Sequence, residues 1–316
     1  RLLKERIKEF IGHKGFDITP LKRLLDKYID EEKIRKSGMD FGMVTINLTD
    51  LKPLYMFIQD IPEGELTQYL LASAYLPFFK AEKLGGKRYL DGGFYDNLPY
   101  RMLLKKGYKD IILIRTHAKG ITRRLYFPKT NAIIISPSGD LGKSIEYDCN
   151  RARENIKMGY YDGLKAIRGL KGHRYYIIPK KNKDYYFNFL LKIKDEDIGR
   201  LQKLLKLPQI PYKRSLFEDI IPRICSLLSV DKEYDYEDIL IYLLEKKAEK
   251  CNIDRYKIYS FEELLSLVAN KELAFDEEEA GPLSRLIEKV EILPIFNREE
   301  VILEAANIIF GSDNCN

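Results

Sequence analysis

Ala72-Ser73-Ala74-Tyr75-Leu76-Pro77-Phe78-Phe79, then Gly86-Lys87-Arg88-Tyr89-Leu90-Asp91-Gly92-Gly93, then Asp96-Asn97-Leu98-Pro99, are the three stretches on which the reading of this chain turns. Leu66 to Tyr75 has the pattern of a helix, and Pro77 ends it because the residue before a proline is pushed out of the helical region. Arg88-Tyr89-Leu90 predicts a short strand that delivers the carboxylate of Asp91 onto a Gly-Gly turn. Two glycines allow a sharp bend and a close backbone approach. A carboxylate held at a strand end lies where open α/β sheets place their ligands. The Asp-Gly dipeptide alone does not decide this, since it is also a common hairpin signal. Pro99 with Tyr100-Arg101-Met102-Leu103-Leu104 opens a helix that Gly107 stops.

Outward from there the pattern is mixed α/β. Gly42-Met43-Val44-Thr45-Ile46-Asn47-Leu48 and Leu54-Tyr55-Met56-Phe57-Ile58, separated by a turn from Asp50 to Pro53, predict a hairpin. Ile111-Ile112-Leu113-Ile114 and Ala132-Ile133-Ile134-Ile135 are unbroken apolar runs, which predict strands buried on both faces of a parallel sheet. Residues 1 to 36 read as one or two amphipathic helices broken at Thr19-Pro20, with Leu21, Leu24, Leu25 and Tyr28 at helical spacing. After residue 184 the strands fade. Asp235 to Lys250 and Glu299 to Ile309 read as helices, and Ser260-Phe261-Glu262-Glu263 is a capping box. The expected modules are an amphipathic segment at 1–36, an α/β region at 37–183 and a helical extension at 184–316.

Composition narrows the classes. Hydrophobic residues make up 45% of the chain and charged residues 32%, enough for a core and too apolar for a disordered chain. The net charge of +6 is uneven. Residues 1–100 carry 16 Lys/Arg against 15 Asp/Glu, residues 101–183 carry 20 against 6, and residues 184–316 carry 18 against 27. The basic middle block suits an anionic surface, or simply a solvated face next to acidic residues. The tyrosine pairs, Tyr160-Tyr161, Tyr175-Tyr176 and Tyr185-Tyr186, read as packing residues before base-stacking ones, and no nucleic-acid motif supports them. Cys149, Cys225, Cys251 and Cys315 are far apart, which excludes a disulfide scaffold and a ribbon-type zinc site and fits a reducing, cytoplasmic setting.

The ordered set of segments resembles the patatin-like phospholipase family, whose members carry A-S-x-x-x-P-x-x-F, G-x-x-Y-x-D-G-G/A and D-N-x-P in this order. The resemblance extends over about residues 40 to 180, taking in the strands after Asp91, Ile135-Ser136-Pro137 and Gly159-Tyr160. It implies part of a three-layer α/β/α sheet domain and an acyl hydrolase with a serine–aspartate dyad. Asp91 is then the proton acceptor, Gly92 and Gly93 shape its loop, and Asn97 is a supporting hydrogen-bond candidate. The implied substrate is a lipid or other carboxylic ester. The basic block and residues 1–36 would favour peripheral contact with an anionic membrane. No cofactor is implied.

One element of the pattern is missing: the sequence contains no G-x-S-x-G. Ser73 lies in A-S-A at a structural helix position. Ser138, in Ser136-Pro137-Ser138-Gly139, follows an apolar strand without a glycine on its N-terminal side, so neither has the glycines of a nucleophile elbow. The expectation is therefore that the chain is the C-terminal portion of a longer patatin-like protein and is inactive alone. The rival expectation is a non-catalytic module that binds an anionic surface. His117, at the end of an apolar run, reads as a surface histidine beside Arg115 and Lys119. Asp91, Asp96 and Asn97 lack the alternating spacing of a calcium loop, so no metal is expected.

Overall fold

The computed structural model describes residues 18–77, 79, 83–116, 125–127, 130–143, 148–182, 184–228, 235–269 and 298–311. His117, Cys315 and residues 1–17 of the amphipathic segment lie outside the described residues. The fold is mixed α/β with a helical C-terminal region. By packing the chain divides into two compact units, one of residues 1–136 and 142–146, the other of residues 137–141 and 147–316.

In the N-terminal unit, α1 (Thr19–Tyr28) starts where Pro20 occupies the first turn, a position whose N–H has no helical partner to lose. Then α2 (Glu31–Lys36) is capped by Asp30, whose carboxylate accepts from Lys33 N at 3.0 Å. The expected hairpin forms from β1 (Gly42–Asn47) and β2 (Lys52–Phe57), with Gly42 opposite Phe57 and Asn47 opposite Lys52. Asn47 closes it, its side-chain oxygen accepting from Thr49 N and Asp50 N. Next comes α3 (Leu66–Ser73), and β3 (Tyr89–Asp91) pairs antiparallel with the other edge of β1. The sheet order is thus β2-β1-β3, with β1 central and almost wholly buried.

A second sheet follows α4 (Arg101–Lys105), which ends before Gly107 at φ +93°. Strands β4 (Asp110–Ile114) and β5 (Asn131–Ile135) pair in parallel, Ile112 opposite Ile133 and Ile114 opposite Ile135. The expectation of burial on both faces does not hold. Ile111 and Leu113 pack with Tyr100 and the α4 residues Leu103 and Leu104, whereas Ile112 and Ile114 on the opposite face are 57% and 66% exposed. An apolar run reports only that a strand can be covered twice. Here the helix layer of the unit lies on one side of the pair.

The C-terminal unit begins its regular structure with α5 (Cys149–Arg168). Asp148 caps it by accepting from Arg151 N at 2.6 Å, and Gly169 ends it in the left-handed conformation at φ +64°. Then come β6 (Tyr176–Ile177), α6 (Tyr185–Leu191), α7 (Asp195–Leu204) and a continuous helical run. That run comprises α8 (Tyr212–Ser215), a π-helical turn at Leu216–Ile220 and α9 (Ile221–Leu228). It is followed by α10 (Tyr236–Lys250), β7 (Ile258–Tyr259), α11 (Phe261–Ala269) and α12 (Arg298–Ile309). The capping box before α11 forms as expected, Ser260 N donating to Glu263 and Glu263 N to Ser260 Oγ. One continuous core joins Leu190, Ile198, Leu216, Leu240, Leu244, Phe261 and Phe310, among others. Of the tyrosine pairs, Tyr175, Tyr176 and Tyr186 are buried packing residues, while Tyr160 is exposed.

Candidate active site

Asp91 stands at the end of β3, opposite Thr45 of β1. Its backbone N–H donates to Tyr75 O at 2.8 Å, so the chain just after α3 holds the strand end from the side. Its side chain caps a 3₁₀ turn at Gly92–Phe94, Oδ1 accepting from Gly93 N at 2.7 Å. The carboxyl group is half-buried, and this burial pushes it above the ordinary carboxylate range, with the Gly93 N–H pulling the other way. A raised pKa brings the carboxylate nearer to what a base working at neutral pH requires.

The two glycines act through space, not through an unusual backbone. Neither lies in the left-handed region. A Cβ on Gly92 would sit 2.1 Å from Val44 O, so only a hydrogen fits between this turn and β1. A Cβ on Gly93 would fall 2.7 Å from Asn97 Oδ1 and 3.2 Å from Asp91 Oδ1. Asp91, Gly92, Gly93 and Asn97 therefore come together in one tight turn, with Asn97 folded back over Gly93. The close approach that Gly92 permits is to the central strand β1, and the one that Gly93 permits is to Asn97.

A ring of hydrogen bonds fixes that strand. Ser73 Oγ donates to Val44 O at 2.8 Å, the same carbonyl that Gly92 touches. Thr45, wholly buried, has its Oγ1 within hydrogen-bond distance of Ala72 O (3.0 Å) and Leu90 O (2.9 Å). Beyond the turn, Tyr55 donates its phenolic proton to the buried Asp96 at 2.9 Å, tying β2 to the D-N-x-P segment. Ser73 is thus committed to the backbone beside the site. The sequence reading missed Thr45 and Tyr55, whose roles depend on strand pairing. Thr45 is a polar residue between apolar neighbours in a buried strand, while Tyr55 stays exposed on the paired strand and reaches Asp96 only through its hydroxyl.

Residues 1–104 match the patatin-like phospholipase family. The matched span holds the A-S-x-x-x-P segment and the whole turn from Asp91 to Asn97, so the match and the geometry fall on the same residues. It connects this part of the chain with lipid acyl hydrolases at the level of the family. Residues 105–316, including β4, β5 and the helical region, lie beyond the match, which ends short of the expected resemblance to about residue 180. Neither the curated proteins nor the solved structures returned a match to this chain. Among the described residues no helix is long and apolar enough to cross a membrane.

Proposed function

We propose that the Asp91 turn is the base half of a patatin-like acyl-ester hydrolase acting on a lipid or other carboxylic ester. The observation that carries this is the placement of Asp91. A half-buried carboxyl with a raised pKa ends a strand pinned from both sides, within the segment that matches the family. In this reading a serine hydroxyl supplied outside these 316 residues attacks the ester carbonyl and passes its proton to Asp91. Gly92 and Gly93 keep the turn thin enough for that approach, and Asn97 supports it. The basic block at residues 101–183 and the segment at 1–36 hold the protein against an anionic lipid surface. The setting is cytoplasmic, and neither cofactor nor metal takes part.

The test begins with the intact mass and N-terminal sequence of the protein isolated from its source, followed by Asp91→Asn in that protein. Turnover of a phospholipid or aryl ester should fall by about 10³-fold, within the range a positioned general base contributes, with the fold retained. Undiminished turnover in the variant would sink the assignment. The absence of G-x-S-x-G from the sequence favours a second reading, a non-catalytic module that binds anionic surfaces. It predicts no ester hydrolysis by the source protein and vesicle binding that weakens as salt is raised.

A further inference from the structure

Four residues far apart in sequence, Ser138, Asp162, Tyr176 and Arg255, meet in the C-terminal unit. Asp162 is 4% exposed and lies on the inner face of α5. Its Oδ2 accepts from Ser138 N at 2.9 Å and its Oδ1 from the Tyr176 hydroxyl at 3.0 Å. Ser138 Oγ lies 2.9 Å from the Tyr176 oxygen and 2.6 Å from Arg255 Nη2. Each group can play only one part. Arg255 has no acceptor atom, and Tyr176 spends its single proton on Asp162. The Ser138 proton therefore points at the Tyr176 oxygen, and the wire runs from serine through phenol to carboxylate. Burial raises the Tyr176 phenol to about 12, so the bridge is protonated at neutral pH and has a proton to give to Asp162.

From this geometry we infer that Ser138 is an activated nucleophile, a second acyl-transfer centre that takes small carboxylic esters and organophosphonates. One Oγ lone pair faces Arg255, and the other is left for attack. In the forward step Oγ bonds to the carbonyl carbon while its proton moves to Tyr176 and the Tyr176 proton moves to Asp162. The carbonyl π pair becomes an oxyanion. Collapse of the adduct breaks the bond to the leaving alcohol, which takes the proton back through the same relay. Water then hydrolyses the acyl-serine, so ester and water give acid and alcohol. Arg255 makes the developing negative charge on Oγ cheaper, and its Nε, buried with no acceptor among the described residues, is a donor still unspent. Ser138 itself is half-buried and Gly139 follows it without a side chain.

The test applies a fluorophosphonate probe to the full chain and locates the adduct by mass spectrometry. Serine oxygen displaces fluoride, which leaves with the serine proton. A one-to-one adduct on Ser138 is expected in the folded protein. It should be lost on unfolding in urea and in Ser138→Ala, and should form about 100-fold more slowly in Tyr176→Phe, in line with loss of a general acid–base partner. Should Tyr176→Phe not fold, Arg255→Gln carries the same comparison, since it keeps the relay and removes the cation. No adduct on Ser138 in the folded chain, or equal labelling rates in the folded variants and the parent, overturns the inference. Because the adduct is located by residue, the result is independent of whether Asp91 acts as a base.

Discussion

The two units of this chain hold the carboxylates of Asp91 and Glu245 in different ways. Around Asp91 the buried apolar residues fall into small groups, such as Leu71, Ala72, Tyr75 and Tyr89 on one side of the sheet and Met43, Ile58, Ile61 and Leu66 in another cluster. Position there is enforced by backbone contacts: a glycine against a carbonyl, a serine on the same carbonyl, a threonine lying between two others. In the C-terminal unit one large core surrounds the polar groups, and Glu245 of α10 is embedded in it. The difference teaches where each unit is fragile. The first is vulnerable to single atoms placed in a narrow gap, and the second to a buried charge deprived of its partners.

The strongest test of this contrast is Glu245→Ala. The Glu245 carboxylate accepts from the backbone N–H groups of His173, Arg174 and Tyr175 at 2.8, 2.9 and 2.7 Å, closing the turn between α5 and β6. Burial pushes this carboxyl up while the three N–H groups hold it down. Its removal leaves buried donors unpaired and a cavity in the core, and should cost about 3–5 kcal/mol. Urea denaturation gives the loss directly. A cost under about 1 kcal/mol would show that water replaces the carboxylate and that the core is less closed than its burial implies.

Gly92→Ala comes next. The added methyl would sit 2.1 Å from Val44 O, and both neighbours are backbone, so the turn or the strand must shift. About 3 kcal/mol is expected, at the upper end for overpacking. Hydrogen exchange should show the loss concentrated at β1 and β3. Exchange unchanged at those strands would break the claim that contact, not packing mass, positions Asp91. Ser73→Ala removes only the hydroxyl that grips Val44 O and should cost about 1 kcal/mol by the same measurement.

These effects also mark what could be read in advance. The hairpin, the helix before Pro77, the Ser260 capping box and the helices of α10 and α12 are visible because each depends on residues within a few positions of one another. The Asp91 turn was legible as a motif, and its glycines as a device for close approach. That the approach is to Val44 was hidden, since it depends on β1 lying between β2 and β3. The openness of Ile112 and Ile114 was hidden for the same reason: periodicity records how apolar a strand is and not which layers cover it. Asp148 and Gly169 bracket α5 with ordinary cap signals. The Ser138 cluster carries no signal of that kind, because residues 138, 162, 176 and 255 become neighbours only through the packing of α5 against β6 and the turn before β7.

The smallest effect concerns Asp91 itself, and its sign is the informative part. Its folded pKa is raised by burial above the unfolded value, so the native state holds this proton to higher pH than the unfolded chain does. Between the ordinary carboxylate range and the raised value, stability contributed by the protonated group is lost as pH rises. At neutral pH the ionised carboxylate is therefore a burden on the fold. Asp91→Asn should leave the melting temperature at pH 7 unchanged or slightly higher, because the amide oxygen can still accept from Gly93 N. The contribution of Asp91 to the pH dependence in that window should be absent from the variant, read as the difference between the parent and variant profiles. A variant clearly less stable than the parent at pH 7 would mean that the carboxylate is held by attractive partners. Asp91 would then be a structural cap like Asp148, and the contrast between a carboxylate disfavoured by its burial and well-paired ones would fail.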